Sequence, residues 1–175
     1  MKKQQRKQMR EFDERLSEEA EQLNSYLFQY RDCIAKKKNL ERRKEEIRAE
    51  FSSYKSPSFD GMPKGSSFSN DPPVVALMFR LDEIDAKIGE QMNRASKLLS
   101  DIMNIIDLLP DSTPEENLSK AIIENRYIDR MGWDRVCREN HCSRSKTSRY
   151  WKKGLYALLE FKKVKKILHD YYEGA

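Results

Sequence analysis

Apolar residues recur every three or four positions along two long stretches of this chain, a spacing that predicts two long helices. In the first stretch Phe12, Leu16, Ala20, Leu23, Leu27, Tyr30 and Ile34 share one face, and the stripe thins to Leu40, Ile47 and Phe51. Neither Gly nor Pro interrupts it, so one helix is expected from about Lys7 to Phe51. Residues 52–73 (SSYKSPSFDGMPKGSSFSNDPP) cannot continue a helix and are expected to form a flexible loop. Tyr54, Phe59, Met62 and Phe68 within it hint at docking. The stripe then returns from Val74 to Leu109, through Leu77, Leu81, Ile84, Ile88, Met92, Ala95, Leu98, Ile102, Ile105 and Leu109. Two such helices joined by one loop fold most simply as an antiparallel hairpin or coiled coil, although parallel association between chains satisfies the same pattern. This oligomerisation domain is expected to span residues 1–110.

Leu109-Pro110 ends the second helix, and a C-terminal domain over 111–175 is expected to follow. Thr113 is a suitable N-cap, Pro114 suits the first helical position, and Glu115 and Glu116 suit the positive end of the helix dipole. The apolar positions Leu118, Ile122, Tyr127 and Ile128 predict a helix over Pro114–Arg130. After a corner at Met131-Gly132, a short helix is expected over Trp133–Asn140, with Trp133, Val136 and Cys137 on one face. His141-Cys142-Ser143 is the turn, and a third helix begins at Arg144 with Ser143 as its cap. Its inward positions are Thr147, Tyr150, Trp151, Leu155, Leu158 and Leu159. The fold class is therefore all-α: a long antiparallel helical hairpin followed by a helix-turn-helix module.

Charge sharpens that picture. The whole chain carries +5, yet Ser143–Leu168 holds nine Lys/Arg against the single acid Glu160, a net +8 that leaves −3 for the rest. A basic end on a mildly acidic body suits a polyanion binder. Packing on Trp133 and Val136 would turn Arg144, Ser145, Lys146, Ser148, Arg149 and Lys152 outward on the third helix. The N-terminal residues of such a helix reach base edges in the major groove, where Arg pairs with guanine and Ser serves several bases. Lys152 and Lys153 lie further along, where phosphate contacts position without specifying. The expected partner is double-stranded DNA.

The run Arg126-Tyr127-Ile128-Asp129-Arg130-Met131-Gly132-Trp133, then Val136-Cys137, then Ser143-Arg144-Ser145, resembles region four of bacterial sigma factors. It is more similar still to phage-encoded regulators of Gram-positive hosts, of the ArpU and RinA type. Some of those carry a loop like Asp60-Gly61-Met62-Pro63-Lys64-Gly65-Ser66. The resemblance implies a control protein for phage late or lysis genes, with Ser143 capping the recognition helix and Arg144, Ser145, Lys146, Ser148 and Arg149 facing DNA. Contact with host RNA polymerase is implied by the resemblance alone. The chain departs from the family at Asn140, usually aliphatic, at His141, usually glycine, and at Thr147, usually valine or isoleucine. Asn and His tolerate the left-handed conformation such a turn requires.

Other chemistry is thin. Cys33, Cys137 and Cys142 form no disulfide framework, which fits a reducing compartment. Cys137, His141 and Cys142 fit no common zinc spacing, and Cys137 reads as a core residue. No metal or other cofactor is expected. His169 stands alone and is expected to be exposed. No nucleophile elbow, phosphate-binding glycine loop or paired-carboxylate constellation occurs, so no enzymatic activity is expected. The start Met1-Lys2-Lys3-Gln4-Gln5-Arg6 leads into no apolar run, and no stretch approaches a membrane span, so a cytoplasmic protein of a bacterial host cell is expected. The amphipathic stretch Phe161–Tyr172 is expected to extend the recognition helix and to pack on the first helix of the module or on a second subunit. A homo-oligomer, preferably a dimer, would place two recognition helices on two half-sites. Two other readings fit the same pattern: an adaptor whose coiled coil is the working surface, and a DNA-packaging protein like a small terminase subunit.

Overall fold

The computed structural model describes residues 16–53 and 72–173, and these form six helices with no strand among them. They are α1 (Glu18–Ser53), α2 (Pro72–Ile106), α3 (Pro114–Tyr127), α4 (Trp133–Glu139), α5 (Arg144–Leu159) and α6 (Lys162–Tyr172). Local sequence explains most of the ends. Ser17 Oγ accepts from the Ala20 amide at 3.3 Å, ahead of an acidic first turn of Glu18, Glu19 and Glu21. Pro72 and Pro73 stand in the first turn of α2, where the missing N–H groups cost nothing. Thr113 and Glu116 form a reciprocal capping box: the Glu116 amide donates to Thr113 Oγ1 at 3.3 Å, and the Thr113 amide donates to Glu116 Oε2 at 3.0 Å. Phe12 and the expected loop centre, residues 54–71, lie outside the described residues.

The chain divides into two compact units, and the division does not fall at residue 110. One unit comprises the chain up to Asp32 together with Ser96–Ala175; the other is Cys33–Ala95. The reason is a shared core. Ala20, Leu23, Tyr26 and Leu27 of α1 and Ile102, Ile105 and Ile106 of α2 are buried in one cluster with Ile122, Ile123 and Tyr127 of α3, Val136 of α4 and Trp151, Leu155 and Leu158 of α5. Each fully buried aliphatic side chain in it contributes roughly 1.5–3 kcal/mol. The first half of α1, up to Asp32, therefore shares its core with the C-terminal module rather than being an appendage to it.

In the second unit α1 and α2 run antiparallel. Lys44 Nζ pairs with Asp85, and a cleft of about 460 Å³ is lined by Leu40 and Ile47 from one helix and by Arg80 and Ile84 from the other. Cys33, Ile47, Leu77 and Ala95 are buried, whereas Leu81, Ile84 and Ile88 are only half-buried. Met92, expected in the apolar stripe, is 39% exposed. Gln91 occupies that step of the inward row and is half-buried, and Met92 lies one residue further round the helix.

The C-terminal stretch also departs from expectation. It does not extend α5: the backbone leaves the helix at Phe161 (φ −80°, ψ 121°) and α6 begins anew at Lys162. Its stripe packs on α1 rather than on α3, the first helix of the expected module. Val164 and Leu168 are buried, Tyr171 meets Tyr26 edge-to-face at 5.4 Å, and the Tyr172 hydroxyl donates to the Gln22 carbonyl at 3.1 Å. No described helix is long and apolar enough to cross a membrane.

Candidate nucleic-acid interface

Two helices and a tight turn build the site. α4 is pinned through Val136, fully buried, and through Trp133, whose ring meets Trp151 of α5 edge-to-face at 5.2 Å. α4 ends in a Schellman motif: the Cys142 amide donates to the Cys137 carbonyl at 3.0 Å, and the His141 amide to the Arg138 carbonyl at 3.1 Å. His141 takes the left-handed position with φ 50°, so it adopts the conformation for which glycine is favoured. Asn140 Nδ2 donates to the Val136 carbonyl at 2.9 Å, which ties the turn back onto α4. α5 then starts as its sequence predicts, with Ser143 Oγ accepting from the Lys146 amide at 3.3 Å.

The inward face of α5 contains every residue expected there: Thr147, Tyr150, Trp151, Leu155, Leu158 and Leu159 are all buried. Thr147 fits a slot suited to an aliphatic residue because its hydroxyl donates to the Ser143 carbonyl at 3.0 Å, leaving a methyl to pack. Trp151 Nε1 donates to the Tyr127 hydroxyl at 2.9 Å, which in turn donates to Asn24 Oδ1 of α1 at 2.6 Å. Burial holds the Tyr127 phenol well above its usual range. The alignment of α5 is thus set by a polar chain that crosses α3 and ends on α1.

Of the residues expected to face DNA, Ser145, Lys146, Arg149 and Lys153 are exposed on one side of α5. Three of them surround the Tyr150 ring, with Lys146 Nζ at 5.8 Å, Arg149 Cζ at 5.2 Å and Lys153 Nζ at 6.0 Å from its centroid. Such cation–π contacts are each worth about 0.5–1 kcal/mol at exposed sites and help to hold the cations in a row. Lys153 also pairs with Glu115 at 3.1 Å, and Lys153 foremost, with Tyr150 and Arg149 behind it, holds the Glu115 carboxyl below its usual range. Lys152 is half-buried at the edge of this face. Arg144 is also half-buried and lies 3.3 Å from Asp134 of α4, so it joins the two helices of the motif.

Ser148 is a correction. Expected to face DNA, it is 8% exposed. Helical steps of three and four carry the row Ser148, Trp151, Leu155, Leu159 down the inner face, and serine's small size lets it fit there despite its polarity. Cys137, expected in the core, is half-buried. His169 is exposed as expected, with Nε2 lying 2.8 Å from Glu173.

Two residues that sequence reasoning overlooked shape the site. A Cβ at Gly154 would lie 2.7 Å from Ser119 Oγ and 3.0 Å from Ile123 Cγ1, so glycine is what lets α3 and α5 approach this closely. Ser119 uses the same contact to donate to the Tyr150 carbonyl at 2.8 Å. A glycine inside an amphipathic helix was the available signal. The other is Asn24, whose polar position on an otherwise apolar face gave no hint of a partner 103 positions away.

Comparison of the chain with protein-family models, with curated proteins and with solved structures finds no match.

Proposed function

We propose that this protein binds double-stranded DNA through α4, the His141 turn and α5, and acts as a transcription regulator. One observation carries the reading. α5 is buried on one side by a continuous apolar row, while its other side presents Ser145, Lys146, Arg149 and Lys153 to solvent. Ser145 and Arg149 are suited to base edges, with Lys146 and Lys153 on phosphates. Arg144, tied to Asp134, orients α5 against α4 rather than searching the groove. Control of phage late or lysis genes, and contact with RNA polymerase, rest on the resemblance to ArpU- and RinA-type regulators and to sigma region four.

The test is duplex binding across a salt series, comparing wild type with Lys146→Ala/Arg149→Ala. A steep fall of affinity with salt, and at least a tenfold loss in the double variant, is expected. Weak binding indifferent to the substitutions would sink the reading.

A second reading draws on a different observation. Val75, Met78 and Phe79 on α2 are 49%, 55% and 70% exposed. An oligomerisation or adaptor surface on the α1–α2 pair would use them. Light scattering separates the possibilities: a dimer suits a regulator, and a ring suits a packaging protein.

A further inference from the structure

Three arginines gather where α3 turns into α4, beside α1. The Arg126 guanidinium lies between two rings, 4.8 Å from the Phe28 centroid and 4.4 Å from that of Trp133. Its Nη1 donates to the Met131 carbonyl at 2.8 Å, and its Nε is buried with no hydrogen-bond partner. Arg31 approaches the same Phe28 ring at 5.8 Å, and Arg130 approaches Tyr30 at 5.8 Å. Among the described residues no carboxylate lies within ion-pair distance of any of the three. Elsewhere in the same unit Lys120 lies within ion-pair distance of Asp107 and Asp111, and Lys165 of Glu19. Burial is the largest influence on the Arg126 cation and disfavours it, Tyr127 favours it, and the nearby Arg31 charge disfavours it least strongly.

The backbone adds an independent sign. Arg130 holds φ 58°, a conformation that glycine or asparagine adopts with little strain. Arg130 stands at the end of α3, where the Met131 amide closes onto the Asn125 carbonyl at 2.9 Å, and strain of that kind collects at helix ends and at functional positions.

The patch adjoins the proposed recognition helix. Trp133, which stacks on Arg126, is followed by Asp134, which holds Arg144 at the start of α5. Guanidinium groups present planar arrays of donors that match phosphate oxygens, and aromatic backing fixes their orientation before binding. We propose that Arg31 and Arg130, backed by Arg126, form a second contact with the DNA phosphate backbone, so that α1 itself touches the duplex. The proposal rests on the helix-turn-helix reading and adds to it a site outside the motif.

The experiment uses the full chain and fluorescence anisotropy on a labelled duplex over a salt series. Arg31→Ala/Arg130→Ala is compared with wild type and with Arg31→Lys/Arg130→Lys. Both side chains are exposed, so all three proteins should melt alike. Loss of two phosphate contacts lowers the slope of log affinity against log salt by about 1.8 and weakens binding roughly tenfold at low salt. The preference among duplex sequences stays unchanged, and the lysine variant recovers most of the slope. A wild type that binds with an alanine variant of identical slope overturns this proposal and leaves the helix-turn-helix reading standing. A wild type with no affinity for duplex DNA overturns both.

Discussion

The Tyr127 hydroxyl donates to Asn24 Oδ1 at 2.6 Å while accepting from Trp151 Nε1 at 2.9 Å. One phenol therefore joins α1, α3 and α5. Tyr127→Phe should leave a buried donor and a part-buried acceptor unpartnered, at a cost of about 1–3 kcal/mol, read as a lower urea midpoint.

The same phenol sets a pH dependence. Burial raises its pKa in the folded state above the usual value of about 10. The unfolded chain then loses this proton first as pH rises, so the contribution is complete below about pH 10 and is lost above it. The stability advantage of wild type over Tyr127→Phe should shrink between about pH 10 and pH 12. An advantage that stays constant across that range would contradict the buried phenol.

The shared core predicts that the C-terminal segment does not stand alone. Residues 111–175 without α1 would expose the surfaces that Leu23, Tyr26 and Leu27 cover. That fragment should show no cooperative thermal transition, whereas the full chain should. A cooperative melt of the fragment would restore a domain boundary at residue 110.

Gly154→Ala places a methyl 2.7 Å from Ser119 Oγ. Moving that hydroxyl away breaks its buried bond to the Tyr150 carbonyl, a loss of about 1–3 kcal/mol against the roughly 1 kcal/mol that alanine gains over glycine in a helix, so the melting temperature should fall. Adding Ser119→Ala should recover part of the loss, because the atom in the way is then gone. Failure of the second change to help would place the strain on Ile123 instead.

Glu115 is the acidic neighbour of the exposed cations of α5, and its pair with Lys153 opposes a phosphate contact. Glu115→Gln should raise DNA affinity a few-fold and steepen the salt dependence. Ser148→Ala, on the buried side, should leave affinity within about twofold of wild type, and a large loss would return Ser148 to the interface.

Much of the local structure was legible in the sequence. The Thr113 cap, the Ser143 cap, the turn at His141 and the apolar row of α5 all follow from residues within a turn or two of one another. Caps and periodicity are local physics, so one stretch of chain carries the whole signal. What tertiary structure decided lies in contacts without such a signal. Asn24 and Tyr127 are 103 positions apart, and nothing near either residue announces the other. Ser148 looked like a groove residue because it is polar, and it is inward because packing on α5 is set by helical angle and available volume. α6 turns back onto α1 because Tyr26 and Gln22 offer its tyrosines partners there. The sequence by itself determined the caps that start α3 and α5 and the apolar row of α5; only the folded chain decided that Ser148 joins that row, that the helix breaks at Phe161 and that the first half of α1 belongs to the same core, because burial is settled by whichever surfaces meet, however far apart they lie in the chain.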